Sequence, residues 1–583
     1  MHLIDYGVLI GFMAWMLVIG WVFSRRVKDA SDMFAAGGQS PWWISGLSGF
    51  MTIFSAGTFV VWGGIAFRLG LVAVSILVVI GLSMVLVGWA IAGLWRRMGI
   101  TTPAEFLRIR FNEPVVQAYT WIGSFYRGIG LGVALYSLAV MLSVLVPLPE
   151  GTPFRDAETG NFSVGAGILL WGTVVIVYTM AGGLWAVLMT DVIQCLILCL
   201  AVLVAVPLSI AAIGGMDELW NQAPEGFFSP ATGEYTYTFL FLWLWLGFFR
   251  YAADWAFVQR YICVPTPRDA RKVAYLMGGL YIISPLLWML PAMAYRILDP
   301  EADPEQAYML MCCRVLPAGL LGIMVAAMFS ATASMVSSLL NVFAGVFTYD
   351  VYKALINPGA SERRMVLVGR LATFAYGLFV VLIAFSVPFF GGAEEVVLIL
   401  MTSLLGPLLM PIVWGLYSRH VGPWAVWITL VVCTPVTVVV KSGPALRDAI
   451  AQWNLPDAIA ESIGWVEANP RLTDGILGFL LPLVVLLVVE AISRRGSEDD
   501  GWQRMQAALA DYAGRPPVVV ESRLPARVLA TSLGMLAVLM IVITACTSQQ
   551  RITLGAFSAL LLVTTGVMAW FGFRPVRDTA RGQ

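Results

Sequence analysis

A run of about twenty apolar residues recurs along this chain, and no other feature constrains its fold as much. "LVAVSILVVIGLSMVLVGWA" at 71–90 and "GILGFLLPLVVLLVVEAIS" at 475–493 are two examples. Each is long enough, as a helix, to cross ~30 Å of hydrocarbon. About fifteen such segments can be marked from residue 6 to residue 573. Of the 583 residues, 59% are hydrophobic and 12% charged, more apolar surface than a soluble protein can hide. A membrane β-barrel would instead show short alternating segments. The expected class is therefore an all-α polytopic membrane protein.

Charge sets the expected topology. One set of loops is basic, holding Arg25, Arg26 and Lys28, then Arg96, Arg97, Arg108 and Arg110, then Arg260, Arg268, Arg271 and Lys272, then Lys353, Arg363 and Arg364. The alternate loops are acidic, with Glu150, Asp156 and Glu158, then Asp217, Glu218 and Glu225, then Asp299, Glu301, Asp303 and Glu305. Lys/Arg bias puts the basic set in the cytoplasm. The N-terminus is then outside, the C-terminus cytoplasmic, and the location a cell (inner or plasma) membrane. Arg25 and Arg26 follow the first apolar run, so it reads as a retained helix and not a cleaved signal. Lys+Arg and Asp+Glu are both 35, and nothing points to nucleic acid. The seven cysteines lack metal-ligand spacing, and the two histidines, His2 and His420, sit in no catalytic motif. Two longer polar segments, 442–472 and 494–526, are too short for an enzyme domain; the second predicts a short amphipathic helix.

Several spans are interrupted: "FSAGTFVVWGG" in the second, "GSFYRGIGLG" in the fourth and "GFFRYAADW" in the seventh. Membrane helices tolerate such breaks where the freed backbone lines a polar cavity. Breaks in the second and seventh spans, five apart, are the mark of an inverted five-plus-five repeat. The expected division is an N-terminal extra helix and loop (1–41), a first repeat (42–213), a second repeat (237–417) and C-terminal extra helices (418–583). Ionisable residues at membrane depth are few, namely Arg127, Asp191, Arg250 and Asp254, and such groups face a cavity or a partner. Helical spacing predicts that Arg250 and Asp254 pair on one face. The ninth span aligns Ser334, Ser337, Ser338 and Asn341 in one polar stripe, suited either to a hard cation or to close helix packing. Asp191, at the start of the sixth span, reads by itself as a helix-start carboxylate.

Five motifs in order resemble the sodium/solute symporter family. "DASDMFAAGGQSPWW" is similar to the family's edFflAGRslpww, and "TTPAEFLRIRFN" to its TxPEFLxxRF. "GGLWAVLMTDVIQ" resembles GGxxAVxxTDxxQ, "ADWAFVQRY" resembles DQxxVQR, and the ninth span ends in a family-like "YDVYK". The resemblance runs from about residue 25 to residue 420 and implies a leucine-transporter-like fold, with sodium as the coupling ion. It implies a central sodium site at Met51, Phe54, Ala331 and Ser334, where Met335 lacks the hydroxyl the family carries. It implies a second sodium site at Asp191, Ser334, Ser337 and Ser338, all oxygen donors. It also implies a substrate cavity at Thr58, Trp62, Arg127, Arg250 and Asp254. Trp255 and Arg250 depart from the family pattern, and an arginine there pairs bidentately with a carboxylate.

The expected function is sodium-coupled uptake of a small organic solute by alternating access. A carboxylate-bearing solute is favoured through Arg250, and a neutral sugar is the alternative if Asp254 neutralises that arginine. Proton coupling through Asp191 or Asp254 is a further variant. A symporter-like sensor domain is the reading from another class, but no kinase or receiver segment accompanies it. Enzyme chemistry is not expected: HExxH and a plausible Ser/His pair are both missing. The expected partners are the solute and the lipid bilayer, with no obligate protein partner.

Overall fold

The computed structural model describes residues 2–24, 38–100, 102–178, 184–400, 404–451, 457–495, 498–514, 524–546 and 551–573. Residues 29–37 of the first family-like motif (29–43), the glycine pair at 182–183 and the basic tail lie outside the described residues. Among those described, regular structure is helical, with only isolated bridges between extended residues.

α1 (Leu3–Ser24) precedes the first broken span, made of α2 (Trp42–Met51), an irregular stretch, a π-helical turn at Thr58–Trp62, and α3 (Gly63–Leu69). α4 (Leu71–Ala90), α5 (Ala92–Arg97) and the short α6 (Pro103–Arg110) lead into α7 (Glu113–Ser143), α8 (Val164–Tyr178) and α9 (Leu184–Ala212). α10 (Met216–Gln222) lies in the connection to the second broken span, α11 (Tyr237–Ala253) and α12 (Trp255–Ile262). α13 (Pro267–Ile283), α14 (Pro285–Leu298), α15 (Ala307–Val315), α16 (Leu320–Val346), α17 (Glu362–Ser386), α18 (Ala393–Leu400) and α19 (Gly406–Gly415) follow. Beyond them come α20 (Pro423–Ala451), α21 (Asp457–Ala468), α22 (Pro470–Gly475), α23 (Leu481–Ser493), α24 (Asp500–Ala513), α25 (Leu524–Cys546) and α26 (Arg551–Phe573). α24 is the amphipathic helix expected within 494–526.

By length and composition, ten helices among the described residues are able to cross a membrane, and four shorter apolar helices accompany them. Helix starts follow local chemistry. Thr102, Asn112, Thr236 and Thr266 each accept a backbone N–H at an N-cap, and Pro103, Pro114 and Pro267 occupy the first turns, where no N–H is needed.

Both broken spans belong to one packed group, in which α2 and α4 lie on α13, and α11 lies on α4. α7, α8 and α17 form a second group, and α16 contacts both α7 and α9. The α4–α13 crossing is very tight. A Cβ at Gly81 would meet the Gly278 carbonyl at 2.7 Å, and one at Gly278 would meet the Gly81 carbonyl at the same distance. Small residues let membrane helices approach this closely. Gly278→Val is expected to cost about 1–3 kcal/mol by overpacking. A lower thermal midpoint of the detergent-solubilised protein checks this; an unchanged midpoint would refute it. Gly70 has a separate role. Its φ is +59°, and a Cβ there would lie 2.1 Å from the Phe227 carbonyl. That carbonyl accepts the N–H of Leu71 at the α3–α4 turn.

α1 caps α16. The Asp5 carboxylate accepts the N–H groups of Gly319 (2.6 Å) and Gly322 (3.0 Å), two donors that the helix start leaves without intrahelical partners.

Candidate functional site

Breaking a helix inside an apolar bundle frees backbone groups, and here hydroxyl side chains take them up. After α2 ends at Met51, the Ala56 N–H donates to Thr332 Oγ1 of α16 (3.0 Å) and the Gly57 N–H to Ser55 Oγ (3.2 Å). The Ser55 N–H donates to Thr58 Oγ1 (3.3 Å). The second break falls at Asp254, whose backbone is extended (φ −64°, ψ 129°). Its carboxylate accepts the Ala256 N–H (3.1 Å) and caps α12.

The two breaks face one cavity of about 490 Å³. Thr58, Trp62, Arg127, Arg250 and Asp254 all line it. So do Met51, Ala331, Ser334 and Asp191. The lining runs from Trp62 and Val397 to Thr102–Ala104 and Gly345–Val346. The cavity is thus continued toward the end of the bundle that carries Arg108 and Arg110.

The helix runs as far as the Asp254 N–H, which donates to the Arg250 carbonyl (2.9 Å), so Arg250 and Asp254 keep the i, i+4 relation and lie electrostatically close. The Asp254 carboxylate also meets Arg127 of α7, with Nη2 3.4 Å from Oδ1. The Arg127 guanidinium also lies over the Trp255 ring, 5.2 Å from its centroid. The family departure at Trp255 thus supplies an aromatic face for a cavity arginine. Arg250 lies near the Tyr251 ring (5.5 Å) and electrostatically close to Tyr126, Asp254 and Tyr281.

Asp191 is buried on α9 beside the opposite wall. Ser48 Oγ of α2 donates to its Oδ2 at 2.6 Å, and Ser334 Oγ to its Oδ1 at 3.3 Å. Ser337 Oγ donates to the Ser334 carbonyl (3.1 Å) and not to Asp191. The side chains of Ser338 and Asn341 lie outside the described residues. Sequence reasoning missed two participants. Ser48 is the nearest hydroxyl, and Arg260 of α12 has Nη2 3.7 Å from Asp191 Oδ2 and Nε 3.3 Å from Ser48 Oγ. Arg260 stood in a quoted motif, but only the fold brings it to a carboxylate 69 positions away, by ~4 Å contact geometry. Nothing in the sequence distinguished Ser48 from neighbouring small residues.

At the other candidate cation site, Met51, Ala331 and Ser334 face the cavity. Phe54 is fully buried, its ring 4.6 Å from Trp288 and 5.3 Å from Phe59. Only its backbone is therefore available to an ion. The Met51 carbonyl accepts the Phe54 N–H (3.0 Å) and keeps a second lone pair.

A family model described as the sodium:solute symporter family matches residues 33–423. The chain is 27% identical to a sodium/glucose cotransporter of Vibrio parahaemolyticus, over 76% of this chain and 86% of that one. It is 28% identical to a sodium/sialic acid symporter of Aliivibrio fischeri, over 64% and 75%. Among solved structures, a substrate-bound, outward-open Na⁺-coupled sialic acid symporter is similar with a TM-score of 0.66 at 22% identity, covering 84% of this chain and 98% of that one. That likeness is one of fold.

Proposed function

Because this chain belongs to the sodium:solute symporter family, and is a sodium-coupled membrane transporter and not an enzyme, we propose that it carries a small carboxylate-bearing organic solute inward with sodium. One observation supports this substrate class. Three arginines (127, 250, 260) and two aspartates (191, 254) line the cavity, leaving one positive charge in excess. A bound carboxylate balances that charge, and an apolar-walled cavity strengthens the attraction. Arginine is suited to the role because its fork binds a carboxylate through two parallel bonds. Thr58 and Trp62, on the π-helical turn, supply a hydroxyl and an aromatic wall to the solute.

The basic end of the bundle faces the cytoplasm in this reading, with the N-terminus outside and the C-terminus inside. The repeats are 42–213 and 237–417. Sodium is held at two places. One is the open end of α2 with Ala331 and Ser334. The other is Asp191 with Ser334 and, in the register of the polar stripe, Ser337 and Ser338. Ser48 completes the second set, being the hydroxyl nearest the carboxylate.

A neutral sugar is the second reading, favoured by the ion pair that already engages Arg127 with Asp254. Sodium-driven uptake of a sugar acid and of its parent sugar into proteoliposomes separates the two. The wild type is expected to prefer the acid. Arg250→Gln and Arg127→Gln are each expected to lower acid uptake by about tenfold or more, as loss of a charged hydrogen bond does, and to spare the neutral sugar. A wild type that prefers the sugar, or variants that lose both equally, overturns the carboxylate reading.

A further inference from the structure

Beyond the family-matched segment, one arginine gathers charges from four parts of the chain. Arg471, on α22, is buried, with 4% of its side chain exposed. Its Nη2 is 2.5 Å from Glu395 Oε1 and its Nη1 3.2 Å from Glu395 Oε2, a bidentate grip. Glu394 lies 3.4 Å away, Glu234 3.3 Å and Asp474 3.7 Å. The guanidinium also covers the Tyr235 ring at 5.3 Å. Two more cations join: Arg68, from the end of α3, pairs with Glu394, and Lys441 of α20 pairs with Asp474. Tyr235 donates its hydroxyl to Glu394 (2.5 Å).

Glu394 and Glu395 are the first-turn carboxylates of α18. Val397, within a turn of the carboxylates, lines the cavity. α18 packs on the Thr58–Trp62 turn and on α7, so it covers the cavity at the end opposite Thr102–Ala104. Opening at this end requires α18 to move from that turn. Such movement either breaks the Arg471 grip, stranding a buried guanidinium, or drags α22 along.

We propose that Arg471 is a positioning residue for transport: a latch that holds α18 over the cavity and sets the balance between the outward-open and inward-open states. The proposal rests on the alternating-access reading and orientation above. It assigns a role in transport to helices beyond residue 423, where the family match ends. A cation that grips α18 and also meets Glu234, with Arg68 and Lys441 paired to carboxylates of the same group, is arranged to couple these segments. A lysine, which lacks the planar fork, cannot reproduce the bidentate hold.

The test uses the full chain with its seven native cysteines replaced by serine and Val397→Cys added. A membrane-impermeant maleimide is applied to right-side-out and to inside-out vesicles. Arg471→Gln is expected to raise labelling from the outside by about tenfold and to lower it from the inside, as a shift of population does. Arg471→Lys should fall between the two. Glu395→Gln, at a half-exposed carboxylate, should copy Arg471→Gln, and it decides the matter if the arginine variants do not fold. Outside labelling that stays unchanged overturns the latch. So does labelling that rises from both sides, which signals general loosening. Sodium response is read separately, in the protein that keeps Arg471. If its labelling ignores sodium, the coupling reading fails, whereas the side-to-side shift still reports on the latch.

Discussion

Asp191→Asn is expected to lower sodium-driven uptake by at least about tenfold and to abolish the stabilisation that sodium gives the purified protein against heating. Asp191 is the carboxylate that meets the Ser48 and Ser334 hydroxyls. A buried sodium ion needs several oxygens and, in an apolar setting, a compensating negative charge. Asparagine keeps the shape and one oxygen but removes the charge. A ligand that binds only the folded state stabilises it in proportion to its occupancy, so thermal melts with and without sodium read binding apart from transport. Arg260 complicates the single substitution, since it also faces Asp191 and would lose its partner. Asp191→Asn combined with Arg260→Gln removes both charges. If the double variant regains sodium stabilisation, the carboxylate served Arg260 and not the ion. Sodium coupling that survives in Asp191→Asn would end the second-site proposal.

Arg110→Ala is expected to be the most damaging substitution for the fold, at about 3–5 kcal/mol. Arg110 is fully buried at the end of α6. Its Nε donates to the Gly415 carbonyl (2.8 Å), and its Nη2 donates to those of Ser418 (3.0 Å) and Val421 (2.7 Å). Its Nη1 meets the Asp499 carboxylate at 2.5 Å. One guanidinium therefore ties α6, the turn after α19 and the start of α24. Alanine strands three carbonyls and a carboxylate together, and lysine cannot reach them as a planar fork does. Asp499 also caps α24 through the Gly501 N–H (3.0 Å), so α24 is expected to detach. The checks are the fraction of protein remaining monodisperse after heating and the protease sensitivity of residues 494–526. Resistance equal to the wild type in both would contradict this account. α6 carries Pro103 and Ala104, which line the cavity, so partial destabilisation is expected to slow uptake as well.

These two residues show what was legible beforehand and what was not. Asp191 was legible as a rare ionisable group in an apolar run, and Ser334 as part of a polar stripe, because both signals are local. The breaks near residues 54 and 254 were legible for the same reason, since a glycine or charge in a membrane helix is conspicuous. The i, i+4 placement of Arg250 and Asp254 was legible from helical spacing, whereas the second arginine at Asp254, Arg127, was not. Arg110 was visible only as one basic loop residue among several. Arg471 drew no notice at all, for arginine in a polar connection is ordinary. Ser48 was hidden among small residues whose usual role is helix packing.

The amino-acid order by itself determined that this chain is an all-α membrane protein with two interrupted spans five apart. Hydrocarbon leaves a backbone few alternatives, and that constraint acts residue by residue. The tertiary structure alone decided which charge meets which. Arg127 of a distant helix meets Asp254, Arg260 and Ser48 join Asp191, and Arg471 collects carboxylates up to 237 positions away. An ion pair forms where packing holds two groups within ~4 Å, and separation along the chain says nothing about that distance.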